Sequence, residues 1–341
     1  MFARRNTSKP SRARTGVSAL ALWCLVASLA LLSGHALAGP CELKRLAAVD
    51  LTMRDGVPTV PVIINGHPAA MSVNTTNAVG EIRFTSLNSF GLDRQDLPGS
   101  LYVMRGHYTI TQNTTTDSFA IGLMKIGGLM RYRSPKFLVL PDRGKLQDGV
   151  PVGELGMDVL GASDFELDFA HNKLNFYSQD HCPGEVVYWT DHYSSAPITR
   201  GHGGNYYFPM EIDGKKVMAS LSTSDTKTWF ATDATRKLFG FDEKSAGTQT
   251  ETGNSGPSRF RAMSLTGEGF AVRNAEIQLY SQRLPPDCRL VIHGPDDAVY
   301  RSNCEGGEAP LIMGMDIARH LHFYFATKER VLYVSEADPT K

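Results

Sequence analysis

The sequence has no surplus of either charge: 35 lysines and arginines balance 35 aspartates and glutamates over 341 residues. A chain without a net field has nothing to draw it to nucleic-acid phosphates or an anionic membrane, so neither is expected as a partner. Cysteine is scarce, with five in all. No C-x-x-C or H-x-x-x-H pair offers the spacing of a metal site, and neither metal nor cofactor is expected. Helical periodicity is scarce too. It is confined to short segments after Asp158 and Asp316 and to Asp233–Phe239, while the rest alternates between apolar and polar residues with frequent turn signals. Long hydrophobic runs are absent except for one, Val17 to Leu32.

That run follows Arg4, Arg5, Lys9, Arg12 and Arg14 and precedes Ala36-Leu37-Ala38. A basic start, an apolar stretch and an A-x-A site predict a secretory signal peptide over 1–38; an uncleaved anchor is the other reading, for which the run is short. Asn6, Thr7 and Ser8 follow the arginine pair where twin-arginine export would want a hydrophobic residue, so Sec export is expected. Trp23 before Cys24 argues against a lipoprotein site. The mature chain is expected in the periplasm or secreted, without stable membrane insertion. It retains Cys41, Cys182, Cys288 and Cys304, an even count that in an oxidising compartment predicts two disulfides. Of the three pairings, Cys41–Cys182 with Cys288–Cys304 is preferred.

What the chain does have is a repeat. Ile64-Asn65-Gly66-His67-Pro68-Ala69-Ala70-Met71-Ser72-Val73-Asn74-Thr75-Thr76 aligns without a gap on Ile212-Asp213-Gly214-Lys215-Lys216-Val217-Met218-Ala219-Ser220-Leu221-Ser222-Thr223-Ser224. Each is a predicted hairpin: an apolar strand, an Asn-Gly or Asp-Gly turn, and a second apolar strand. Phe90-Gly91-Leu92-Asp93 then answers to Phe239-Gly240-Phe241-Asp242. Leu155-Gly156-Met157-Asp158-Val159-Leu160 answers to Met313-Gly314-Met315-Asp316-Ile317-Ala318. A strand pair follows each, over Phe165–Phe169 with Leu174–Tyr177 and over His322–Phe325 with Val331–Val334. Three landmarks in the same order, twice, predict a tandem duplication of a mostly-β unit. The expected boundaries are 39–182 for the first lobe, 183–204 for a Pro-, Ser- and Gly-rich linker, and 205–341 for the second lobe.

A strand, N-G or D-G, an apolar doublet, then x-T-x, with a later hydrophobic-hydrophobic-Gly before a short helix, resembles the retropepsin-like aspartic peptidases. Two such units in one chain are similar to the bilobal pepsin type, or to exported bacterial proteins with tandem retropepsin-like units. The resemblance implies an all-β fold of two acid-protease barrel lobes with a few short helices, a monomer with an internal pseudo-twofold axis. It also implies an Asp-Thr-Gly or Asp-Ser-Gly triplet from each lobe, meeting at that axis. Two such carboxylates share a proton, one as acid and one as base, and activate the water that attacks the peptide carbonyl.

Here the triplets are Asn74-Thr75-Thr76 and Ser222-Thr223-Ser224. Both acids and both glycines are missing, while the middle threonines, which in the family cross-link the lobes, remain. A neutral amide cannot take a proton from water, and an unactivated serine replaces the acid poorly. No intact catalytic pair is expected. The cleft is expected to be lined by Thr75, Thr76, Thr223, Ser224 and Asp225, and to take a peptide or an unfolded, extended protein segment. An active endopeptidase recruiting Asp225 or another carboxylate is the first alternative, and a structural envelope protein the second. Asp225 also reads as a polar turn residue, and Asp158 and Asp316 as helix N-caps or local structural groups.

Other motifs carry less. Gly253-Asn254-Ser255-Gly256-Pro257 is similar to the nucleophile loop of trypsin-like proteases, but no histidine context accompanies it. It is expected to be a surface loop. His320 and His322 lack a third ligand nearby, and Gly201-His202-Gly203-Gly204 is too short for a phosphate loop. Asn74 and Asn113 head formal glycosylation sequons. Tyr102, Tyr108 and Thr109–Thr116 are expected either in a flap of the first lobe or in an exposed polar hairpin.

Overall fold

Both predicted hairpins form, and they form alike. In the computed structural model, which describes residues 42–99, 101–105, 108–126, 135–141, 150–201, 204–253, 256–281 and 310–338, strand Val57–Ile64 pairs with His67–Val73, and Tyr206–Ile212 with Lys215–Leu221. The turns between them place Asn65 and Gly66, and Asp213 and Gly214, all at positive φ, the conformation that Asn-Gly and Asp-Gly tolerate best. The side chains of Asn65 and Asp213 do equivalent work, accepting from the backbone N–H groups of Asp117 and Ser118 in one lobe and of Ser264 in the other. Alternation then sends Met71 and Val73, and Ala219 and Leu221, into the core.

The second landmark is a helix end. Gly91 closes the 3-10 helix Phe84–Phe90 and Gly240 closes the α-helix Thr232–Phe239, each glycine left-handed. The first of these helices escapes sequence reading because F-T-S-L-N-S-F is poor in helix formers.

The chain is mostly β, as expected. A ten-stranded sheet uses strands between Thr52 and Leu155, and an eight-stranded sheet uses strands between Thr199 and Met313. The third large sheet belongs to both halves. Its order is Arg45–Asp50, Lys173–Tyr177, Asp164–Asp168, Leu321–Ala326, Val331–Glu336, Ser194–Pro197. The two repeats join at its centre, where Phe165 opposes Phe325 and Leu167 opposes Phe323 in antiparallel register. The rings of Phe165 and Phe325 stack at 4.5 Å. One face of the sheet, with Phe165, Leu167, Leu174, Phe176, Phe323, Phe325, Leu332 and Val334, enters a core continuous with both lobes. At about 1.5–3 kcal/mol per buried side chain, this face is a large part of what holds the halves together.

Two expectations change. The described residues of the expected linker, 183–201 and 204, are packed into the fold. Val186 is buried, Trp189 stacks on His322 at 4.1 Å, and Ser194–Pro197 supplies the sheet's last strand. The reason is the other face of that sheet, which carries Asp164, Glu166, Asn175, Tyr177, His322 and Ser335; this segment covers it. The threonine-rich run is likewise not one exposed hairpin. Tyr108–Ile110 pairs with Val103–Arg105, but Gln112–Thr115 joins the ten-stranded sheet with Asn113 and Thr114 buried. The expected signal segment, Cys41, Cys288, Cys304, His202, Gly203, Asn254 and Ser255 lie outside the described residues.

Candidate functional site

The two triplets meet back to back. The Thr75 hydroxyl donates to the carbonyl of Leu221 at 2.6 Å, and the Thr223 hydroxyl to the carbonyl of Val73 at 2.6 Å. Each hydroxyl also accepts from the other's backbone N–H at 3.2 Å. This four-bond clasp is buried and pseudo-symmetric. It sets Asn74 and Ser222, the residues directly before the threonines, on either side of the junction.

Short strands hold the triplets from beneath. Gly153–Leu155 runs parallel to the strand entering Asn74, and Leu311–Met313 runs parallel to the strand entering Ser222. The N–H of Asn74 donates to Leu155 and that of Ser222 to Met313. The glycines that follow have steric reasons. A Cβ on Gly156 would lie 2.6 Å from the backbone of Val79 and Gly80, and one on Gly314 2.3 Å from the carbonyl oxygen of Lys227.

Helices Met157–Leu160 and Met315–Ala318 begin there with glycine, not aspartate, at the N-cap. Asp158 and Asp316 sit in the first turn instead, and reach back to accept from Gly80 and from both the N–H and hydroxyl of Thr228. Their duty is local, tying each helix to the loop after its triplet.

Around Asn74 the network is dense. Its Oδ1 accepts from the N–H and hydroxyl of Thr76 and from the N–H of Asn77. Its Nδ2 donates to Glu154 Oε2 at 2.6 Å, and Asn77 Nδ2 donates to the same oxygen at 3.0 Å. Asn74 is buried, whereas Glu154 and Asn77 are half-buried. A carboxylate therefore does stand at the first triplet, delivered from the strand beneath. Sequence reasoning missed it. The available signal was the misfit between Glu154 and Ile312, the residues one step before the matched Leu155-Gly156 and Met313-Gly314.

Among the described residues the second lobe has no counterpart. Ser222 Oγ lies 3.3 Å from Ser224 Oγ and accepts from the N–H of Asp225 at 3.2 Å. Asp225 thus repeats the place of Asn77, its carbonyl accepting from Met315 as that of Asn77 does from Met157. Its carboxylate has no partner among the described residues. Thr76, Ser224 and Asp225 are half-buried, Ser222 and Thr223 fully buried.

A second polar group is buried on the covered face of the shared sheet. Glu166 accepts from Asn175, Tyr177 and Tyr188 and bonds His322 Nε2 at 2.8 Å. Burial opposes its charge, but the bonds from His322, Asn175 and Tyr188 outweigh this and hold its pKa below the ordinary 4.5. His181 places Nε2 2.6 Å from Asp164, and Nδ1 3.1 Å from the Cys182 carbonyl and 3.2 Å from Glu329. Acceptors at both nitrogens favour the doubly protonated ring. Burial works against that charge, yet Asp164 and the carbonyl overcome it and raise the pKa above 6.5.

His322 is buried with Nε2 on Glu166, whereas His320 is exposed. No group of three or more metal-ligating side chains occurs among the described residues. Cys182, the one cysteine among them, is disulfide-bonded.

No protein-family model and no curated protein matches the chain. The fold does have a counterpart among solved structures. It superposes on an aspartic proteinase from Irpex lacteus with a TM-score of 0.50 and 14% identity, over 86% of this chain and 98% of that one. What the two share is an all-β bilobal fold, the aspartic-proteinase architecture.

Proposed function

We propose that the chain is an exported, catalytically inactive relative of the tandem retropepsin-like type, which binds an extended peptide or protein segment between its lobes. The observation that carries this reading is the identity of the two side chains flanking the threonine clasp, Asn74 and Ser222. Peptide hydrolysis needs one group to activate water and another to protonate the leaving nitrogen. Glu154 is a carboxylate near the first position, but its Oε2 already accepts from two amides. The positions related by the repeat to Asn74 and Glu154 hold Ser222 and Ile312, so neither supplies an acid from the second lobe. A missing general base alone typically removes ~10²–10⁴ in rate. Binding needs none of this, since an extended segment docks through backbone hydrogen bonds to strand edges.

Purified mature protein incubated with unfolded casein between pH 3 and 7 is expected to leave it intact. Cleavage blocked by a transition-state-mimic inhibitor of aspartic proteases would sink the proposal, and its loss in Asp225→Asn or Glu154→Gln would identify the carboxylate recruited. Binding of extended peptides, weakened by bulky substitutions at Thr76 or Ser224, is the positive outcome. Inertness in both assays points to the structural envelope role. N-terminal sequencing of the exported protein tests cleavage after Ala38.

A further inference from the structure

We propose that Glu154 selects the ligand: the segment bound in the cleft carries a lysine or arginine whose cationic head meets this carboxylate. The inference rests on the peptide-binding reading above.

Glu154 is half-buried beside Asn74, and its contacts are unusual in kind. Asn74 and Asn77 satisfy Oε2 with two neutral amide donors, which fix the group in place but leave its charge unbalanced. Among the described residues no lysine, arginine or histidine pairs with it. A partly desolvated charge without a counter-ion is costly, and a fold normally removes or pairs it.

The second copy of the fold does without an acid there. The repeat-related Ile312 lies on an equivalent short strand, paired in the same parallel register, with an aliphatic side chain. The carboxylate does accept from Asn74 and Asn77, a duty with no counterpart beside Ser222, but neither neutral amide balances its charge. Recognition of a cation supplies the missing balance, and a charge pair at a half-buried site is stronger than one in bulk water. Because Oε2 is saturated while Oε1 has no described partner, the ligand's head meets a single oxygen. A bidentate arginine fork gains nothing over a compact ammonium in that geometry, so lysine and arginine should serve about equally.

The test begins with a random decapeptide phage library panned on the mature protein. Enriched clones are expected to share one basic position. Fluorescence anisotropy then compares a selected peptide with versions in which that residue is lysine, arginine, citrulline or norleucine. The two cationic peptides should bind within about twofold of each other. The two neutral ones should bind at least about tenfold more weakly, as expected for a close charge pair. In Glu154→Gln and in Glu154→Ile, the second copying the Ile312 of the other lobe, that discrimination should collapse to below about twofold while thermal unfolding stays cooperative. Enrichment without a basic position, or discrimination that survives both substitutions, overturns the inference while leaving peptide binding intact. If no clone exceeds a protein-free control, the peptide-binding reading itself falls, and this inference with it.

Discussion

Asn74 and Glu154 constrain each other. Their side chains meet at 2.6 Å through an amide hydrogen, and an aspartate at 74 would set one carboxylate against another. Two carboxyls that close cannot both ionise, so one pKa is pushed well above its unfolded value. A raised acid pKa means the folded state binds more protons than the unfolded one, and stability falls as pH rises through it. Asn74→Asp is therefore expected to melt near wild type in acid and progressively lower towards neutrality, as calorimetry across that range would register. A melting curve with no pH dependence beyond wild type would refute it. It follows that restoring Asp at 74 and 222 alone should not restore a peptidase, and that Glu154→Ile belongs with that pair. The clasp makes a separate prediction. Thr75→Val or Thr223→Val leaves a buried carbonyl without its donor, and each should cost about 1–3 kcal/mol in urea unfolding. The double variant should cost less than their sum, since the two bonds share one junction. Thr75 and Thr223 were legible because the repeat aligns them. Glu154 was not, because its importance lies in a contact with Asn74 across 80 positions that no local pattern encodes.

Among the elements, the segment from His181 to Pro197 is the one whose role the sequence hid. Its proline, glycine and serine content is that of a linker, and local composition cannot reveal that a sheet face elsewhere needs covering. Glu166 and Asp164 alternate with Phe165 and Leu167 as a half-exposed strand would, yet all four are buried, because Val186, Tyr188 and Trp189 lie over the polar side. The pH dependence of stability should come from there. His181, with a raised pKa, contributes stability that is fully present below about pH 6.5 and lost as pH rises through its folded value. Glu166, with a lowered one, contributes stability present above about pH 4.5 and lost as pH falls through its folded value. The urea midpoint should be highest between these limits, and Asp164→Asn should flatten the alkaline limb. A midpoint still climbing above pH 7 would contradict the assignment of His181.

For the molecule as a whole, the hairpins, the helix end at Gly240 and the tandem order could all be read from sequence, since each is local chemistry. The shared sheet could not. Strand patterns give the faces of Asp164–Asp168 and Leu321–Ala326 but not that each is the other's neighbour. Since one core and one sheet run through both halves, the chain should unfold in a single calorimetric transition, with equal van't Hoff and measured enthalpies. Residues 39–182 and 183–341 expressed apart should each expose an unpaired phenylalanine-rich strand and aggregate, recovering a folded product only when mixed. Two independent transitions, or two soluble halves, would show instead that the lobes are autonomous.

The pairing of Asp164–Asp168 with Leu321–Ala326 also has a meaning in time. A ribosome makes the first strand long before the second, so roughly half of the chain must exist without its central partner. Closure depends on a contact spanning about 160 residues, which places this protein among slow, late-closing folds. Until Phe325 arrives, the edge at Phe165 stays open, and any factor that holds the nascent chain unfolded has that whole interval in which to act.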